Sequence, residues 1–148
     1  MIDVRILTTH DAALFGNVAD DVFDEPINPE YLAAFLADPR HHIAVGIEDG
    51  VIIGFASGVD YIHPDKPAEL WINEVGVAPT HQRRGLGRRI LDCLLAHGRS
   101  IGCRTAWVLT ETGNGPAKAL YTSAGGTVDA DVDDPDAQPV LFVFQEGL

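Results

Sequence analysis

The chain has 148 residues, 46% of them apolar, which suffices for one sizeable core in a single domain over residues 1–148. With 22 acidic residues against 10 Lys and Arg, the formal net charge of −12 excludes general binding along a nucleic-acid backbone, because such a surface repels polyanions. No stretch reaches the ~18 apolar residues of a membrane helix, and the N-terminus lacks a signal-type apolar run, so a soluble, cytoplasmic protein with no membrane partner is expected.

Residues 4–7 (VRIL) read as a short strand. Thr8 and Asp11, three apart, fit a capping box that opens a helix with Leu14, Phe15, Val18 and Val22 on one face. A second helix spans 28–39, with Asn28 as N-cap, Pro29 at the first helical position and Pro39 at its end. Asp49-Gly50, between two β-rich runs, is the dipeptide favoured in type I′ turns, so residues 42–59 are an antiparallel hairpin. A proline-bearing loop (63–67) leads to a strand over 69–77. A helix from about Gly85 to Ile101 follows, carrying Leu86, Ile90, Leu91, Leu94 and Leu95 on one face. Then come a strand (104–110), a short helix opened by Pro116 and closed by glycines, and strands at 127–132 and 139–145 around an Asp-rich loop. Hairpins in the first half and strand–helix–strand in the second predict an α/β fold: a mixed, mostly antiparallel central sheet with helices on both faces.

The stretch HQRRGLGRR, residues 81–89, gathers four of the ten basic residues around two glycines in an otherwise acidic chain. It falls where a strand ending at Val77 turns into a helix, so unpaired backbone N–H groups converge on one point and suit an anion. Gly85 and Gly87 permit close approach of the backbone, and Arg83, Arg84 and Arg88 can add charge-assisted hydrogen bonds. A nucleotide-hydrolysing P-loop would need a Lys and a hydroxyl that are missing, and the dinucleotide fingerprint needs a third glycine. A solvated basic helix start remains the alternative.

VGVAPTHQRRGLG, read as Val-x-Val followed by Gln-x-x-Gly-x-Gly, resembles the acetyl-CoA motif of the GNAT superfamily of N-acetyltransferases. Downstream, NGPAKALYTSAGG resembles that superfamily's second element, N-x-x-A-x-x-L-Y-x-x-x-G, in order and at the expected distance. The resemblance implies acetyl-CoA as cosubstrate; the cysteine and histidine spacings suit no metal. The coenzyme's pyrophosphate would lie on backbone N–H groups of Arg83, Arg84, Gly85, Leu86, Gly87 and Arg88, with Gln82 opening the motif. Its pantetheine arm would pair with the backbone of Val75, Gly76 and Val77, and Asn114, Ala117 and Tyr121 match the later contacts.

Acetyl transfer to an amine needs a neutral amine, a polarised carbonyl and a proton for the leaving thiolate. Glu74 is the candidate general base. Strict alternation puts it with Leu70, Ile72 and Gly76 on one largely apolar face, where desolvation would raise its pKa; a paired or solvated strand acid is the alternative. Tyr121 matches the superfamily tyrosine near the coenzyme sulfur and is the candidate general acid. Neither Cys93 nor Cys103 lies in an activating motif, so direct attack without an acyl-enzyme is expected. The six histidines lack metal-ligand spacing and read as surface residues; His81 could assist the coenzyme or cap the turn, and His63 and Glu111 could border the acceptor pocket.

NEVGVAPTHQRRGLG and PAKALYT also resemble the small aminoglycoside 3-N-acetyltransferases of type I. That likeness implies 3-N-acetylation of a cationic aminoglycoside, a role in antibiotic resistance, and leaves a homodimer open. Asp20, Asp21, Asp24 and Glu25, with Asp129, Asp131, Asp133, Asp134 and Asp136, supply an acidic surface that would attract such a polycation, unless the Asp-rich loop is only a solvated hairpin tip. The alternatives are a polyamine, peptide or protein amine as acceptor, and a non-catalytic acyl-CoA-binding sensor.

Overall fold

The computed structural model describes residues 1–110, 113–128 and 140–144. The elements run β1 (Asp3–Ile6), a 3₁₀ helix (Thr9–Gly16), α1 (Pro29–Ala37), β2 (His41–Glu48), β3 (Val51–Tyr61), β4 (Glu69–Val77) and a 3₁₀ turn (Pro79–His81). They continue with α2 (Leu86–Ser100), β5 (Thr105–Thr110), α3 (Gly115–Ser123), β6 (Thr127–Val128) and β7 (Val140–Phe144). One seven-stranded sheet has the order β1-β2-β3-β4-β5-β7-β6. Every pairing is antiparallel except β4 with β5, which α2 connects as a crossover. The expected mixed, mostly antiparallel sheet with flanking helices is therefore present. Glu111, Gln145 and the Asp-rich stretch 129–136 lie outside the described residues.

Local chemistry explains most of these boundaries. Asp49 and Gly50 both take positive φ, 51° and 78°, and join Glu48 to Val51 as a two-residue type I′ turn. Asn28 Oδ1 accepts from the backbone N–H of Glu30 and Tyr31 at 2.9 and 3.1 Å and opens α1. The apolar stripe of α2 (Leu86, Ile90, Leu91, Leu94 and Leu95) is buried against the sheet beside Ile52, Leu70 and Ile72.

Two expectations fail for tertiary reasons. The Thr8–Asp11 capping box forms, but the helix it opens is 3₁₀ and stops at Gly16, rather than running on to Val22. Asn17 and Ala19 instead hydrogen-bond Ile52 of β3, each at 2.9 Å, as a parallel bridge centred on Val18. Sheet pairing beyond the end of β4 thus outcompetes helix propagation. Val22 is still buried, in the strap that follows.

The second failure concerns β4. Ser57 faces Glu74 while Gly58 faces Ile72, so Asn73 is an extra residue and β4 carries a bulge there. The bulge reverses side-chain parity: Leu70 and Ile72 point to the α2 side, whereas Glu74 and Gly76 share the opposite face with Ser57 and Phe55. The four residues expected on one face are divided between two. Described pairing of β4 with β5 also ends at Ile72–Val108, so the strands part on one side of the bulge.

Candidate active site

The parting strands open a cleft of about 950 Å³. One wall is β4 from Glu74 to Val77; the other is Leu109 and Thr110 of β5 with α3, and the start of α2 closes one end. Glu74, Val75, Gly76, Val77, Gln82, Arg83, Gly85, Leu86, Gly87, Arg88, Asn114, Ala117 and Tyr121 all line it. Arg84 does not; its charge instead acts on Glu48.

The α2 end is built from unusual backbone. Arg83 and Gly85 are both left-handed, with φ 64° and 78°, and Gly85 caps the 15-residue helix without any side-chain hydrogen bond to its first N–H groups. Those N–H groups and the positive end of the helix dipole remain available to an anion. The turn itself is fastened by two of the cleft's lining residues, His81 and Gln82. Gln82 Nε2 donates to Val77 O at 3.0 Å; His81 Nε2 lies 3.0 Å from Glu48 Oε1 and its Nδ1 2.8 Å from Thr80 Oγ1. The His81 hydrogen bond, aided by the charges of His81, the N-terminus and Arg84, holds the Glu48 carboxyl below its ordinary range despite some desolvation. Of the two roles left open for His81, the turn-holding one is what these contacts describe. Arg88 is partly committed: its Nε bonds both Asp92 oxygens at 3.0 Å, and its guanidinium also donates to Ser123 O.

At the β4 bulge, Glu74 is exposed and does not sit on the largely apolar face expected for it. Tyr121, on α3, is 5% exposed, with its ring 5.5 Å from Phe142. Burial raises its pKa, so the hydroxyl keeps its proton at neutral pH. Asn114 accepts from Ala117 N–H at 3.1 Å and is the N-cap of α3, which orients the helix that carries Tyr121.

Other lining residues came without a local sequence signal. The strap after the 3₁₀ helix brings Asp21, Val22 and Asp24 to the cleft, and β3 brings Phe55, which stacks on Phe23 at 4.1 Å. Asp21 and Asp24 are visible in the sequence only as part of its acidic surplus; the bridge to Ile52 determines where they stand. The histidines also differ from expectation. His42 and Asp60, 10% and 17% exposed, are 2.6 Å apart, and His97 Nε2 lies 3.0 Å from His42 Nδ1, so three residues distant in sequence make one half-buried chain. Both thiols are free, and burial pushes both pKa values up, that of Cys103 to about 11 with help from Asp60 and Glu69. Among the described residues, no group of three or more His, Cys, Asp or Glu is placed to hold a metal.

The acetyltransferase (GNAT) family model matches residues 10–125, most of the chain and all of the cleft's strands and helices. The chain belongs to the GNAT acetyltransferase family. Within it, this acetyltransferase is 31% identical over 126 residues to the N-alpha-acetyltransferase RimI of Mycobacterium tuberculosis, covering 84% of this chain and 77% of the relative. Its fold matches Arabidopsis thaliana NAA60 in complex with acetyl-CoA, with TM-score 0.74 over 98% of both chains at 16% identity. It also matches an aminoglycoside acetyltransferase from an uncultured soil metagenomic sample, with TM-score 0.69 over 83% of this chain and 90% of the other at 20% identity. The latter two likenesses carry the fold alone. The narrower resemblance to type I aminoglycoside 3-N-acetyltransferases is not supported; the 31% relative is RimI-like.

Proposed function

We propose that this acetyltransferase moves the acetyl group of acetyl-CoA to a primary amine on a cationic acceptor, by direct attack, with Glu74 as general base and Tyr121 as general acid. The carrying observation is that one cleft joins the uncapped α2 N-terminus to Glu74 and Tyr121. The coenzyme's phosphates are assigned to the α2 start, where the left-handed Arg83 and Gly85 line the cleft beside the helix's first, uncapped N–H groups. The parted edge of β4 at Val75–Val77 suits an extended amide-bearing arm, which can pair with it as a strand would.

Glu74 takes a proton from the ammonium or attacking amine; the amine nitrogen forms the amide bond as the thioester C–S bond breaks, and Tyr121 returns a proton to the departing sulfur. Burial keeps the Tyr121 hydroxyl protonated at neutral pH, so its proton is present when the sulfur departs. Neither thiol is suited to an acyl-enzyme, since burial disfavours both thiolates. Asp21, Asp24 and Glu74 at the cleft favour a cationic acceptor, opposite in sign to the α2 end. An aminoglycoside is one such acceptor. The RimI relative favours a second, the α-amine of a peptide.

Thiol release from acetyl-CoA over aminoglycosides, polyamines and peptides tests the reading. Glu74→Gln is expected to lower kcat by about 100-fold, and Tyr121→Phe by about 10-fold, each with little change in acetyl-CoA affinity. Coenzyme binding without thiol release for any amine would instead mark an acyl-CoA-binding sensor.

A further inference from the structure

We propose that the sheet face leading from the cleft to the start of β4 is a second acceptor subsite, with Trp71 and Trp107 as its floor and Glu69 as its anion. It takes a cationic group on the acceptor remote from the amine that reacts, and so deepens, and rests on, the acetylation reading of the cleft.

Strand parity assembles this face. Glu69 and Trp71 precede the β4 bulge and share a side with Glu74, which follows it. Trp71 stands opposite Val59 of β3 and Trp107 of β5, and Glu69 stands opposite Tyr61. Leu109 is two residues beyond Trp107 on the same side, is 40% exposed and lines the cleft, so the face is continuous from cleft to indole. The described cover of this side, Phe23 on Phe55 and Phe35 of α1 beside His41, lies over β2 and β3. Both indoles are only half-buried.

At the far end, Glu69 is 13% exposed, and its Oε2 accepts from Trp107 Nε1 at 2.7 Å and from Tyr61 Oη at 2.9 Å. His63 Nε2 approaches the same oxygen at 3.6 Å, beyond hydrogen-bond range, and is buried without a hydrogen-bond partner among the described residues. Burial, with the Glu69 hydrogen bond, pushes Tyr61 up to about 12, so it is a standing donor. The two donors, a phenol and an indole, both reach Oε2, with the His63 imidazole beside it, whereas a carboxylate has about four acceptor sites. A largely buried carboxylate gains most from a full countercharge, which a ligand ammonium or guanidinium brings, while the indole faces add cation–π attraction. Glu69 to Glu74 covers on the order of 15 Å of strand, which sets the separation of the two cationic groups on the acceptor.

The chain's two tryptophans are Trp71 and Trp107, so intrinsic fluorescence reads the subsite directly. The probes are α,ω-diaminoalkanes of rising length, all doubly charged, each with a monoamine of matched length. Wild type is expected to show a saturable emission change, with affinity rising about tenfold once the diamine spans the Glu69–Glu74 separation. Glu69→Gln keeps an oxygen for Trp107 and Tyr61 but removes the charge. It is expected to lose that tenfold and to raise the acetylation KM of long diamines similarly, with kcat and the monoamine KM unchanged. Trp71→Leu, with the same expected loss for long diamines, serves if Glu69→Gln does not fold. Equal binding of matched monoamines, affinity independent of length, or full affinity in the folded variant would overturn the subsite. Absence of thiol release from every amine would instead sink the acetylation reading, while the fluorescence titration still decides the subsite.

Discussion

Glu74 shows what a single residue's identity carries and what it does not. Its type and place in NEVGV mark it as the acid of a strand before a glycine-containing turn, but strict alternation assigns it the wrong face, because one extra residue at Asn73 exchanges the sides of everything after it. Gln82 and Asn114 stand out by motif, yet their described bonds are to Val77 O and Ala117 N–H, and these shape the site by holding backbone. Gly76 is a site residue whose need for glycine appears only in three dimensions. A Cβ there would come 2.5 Å from Val22 O and 2.8 Å from Phe55 Cε1, and the first is a backbone atom that cannot swing away. Gly76→Ala is expected to cost about 1–3 kcal/mol in urea unfolding and to raise the KM for acetyl-CoA, since the strap and β4 share the cleft wall. Unchanged stability would mean that the strap yields freely.

Among the elements, periodicity and caps recover the strands and α1–α3 with their boundaries nearly in place, because turn chemistry at Asp49-Gly50 and capping at Asn28 are local. The segment after Thr8 departs from its helical pattern because its fate depends on a hydrogen-bond vacancy in β3 more than thirty residues later, which no local pattern reports. The start of α2 supplies a sharper test. Gly85 has φ 78°, and a Cβ at this position would meet nothing within 4 Å, so its requirement is conformational and not steric crowding. Gly85→Ala should cost about 1 kcal/mol and weaken acetyl-CoA binding, whereas Gly85→Asn, which tolerates the left-handed region, should lose less on both counts. Calorimetric binding and chemical denaturation of the two variants would check the ranking; equal behaviour would detach the left-handed turn from coenzyme affinity.

At the scale of the molecule, the fold sorts charge and ties distant strands to helices. Burial, then the neighbouring His42, holds the His97 imidazole below its ordinary value near 6.5, against a smaller opposing pull from Asp60. The unfolded chain therefore binds the proton more readily than the native one, so this stabilisation is complete above about pH 6.5 and is lost as pH falls through the lowered native value. Urea unfolding across pH should show a decline beginning just below 6.5, and His97→Gln should flatten that segment. The Glu48 contribution, lost only below the ordinary carboxylate range, should survive in the variant. A wild-type profile flat through the imidazole range would contradict the half-buried chain Asp60–His42–His97. By itself the sequence determined the family, the order of elements and the glycine-containing turn before α2, because these depend on short-range periodicity, turn residues and contiguous motifs. Only the tertiary structure decided which face Glu74 occupies, that Asp21 and Phe55 reach the cleft, and that His42 meets His97. Bulges, bridges and strand register set those proximities through hydrogen bonds between residues far apart in the chain.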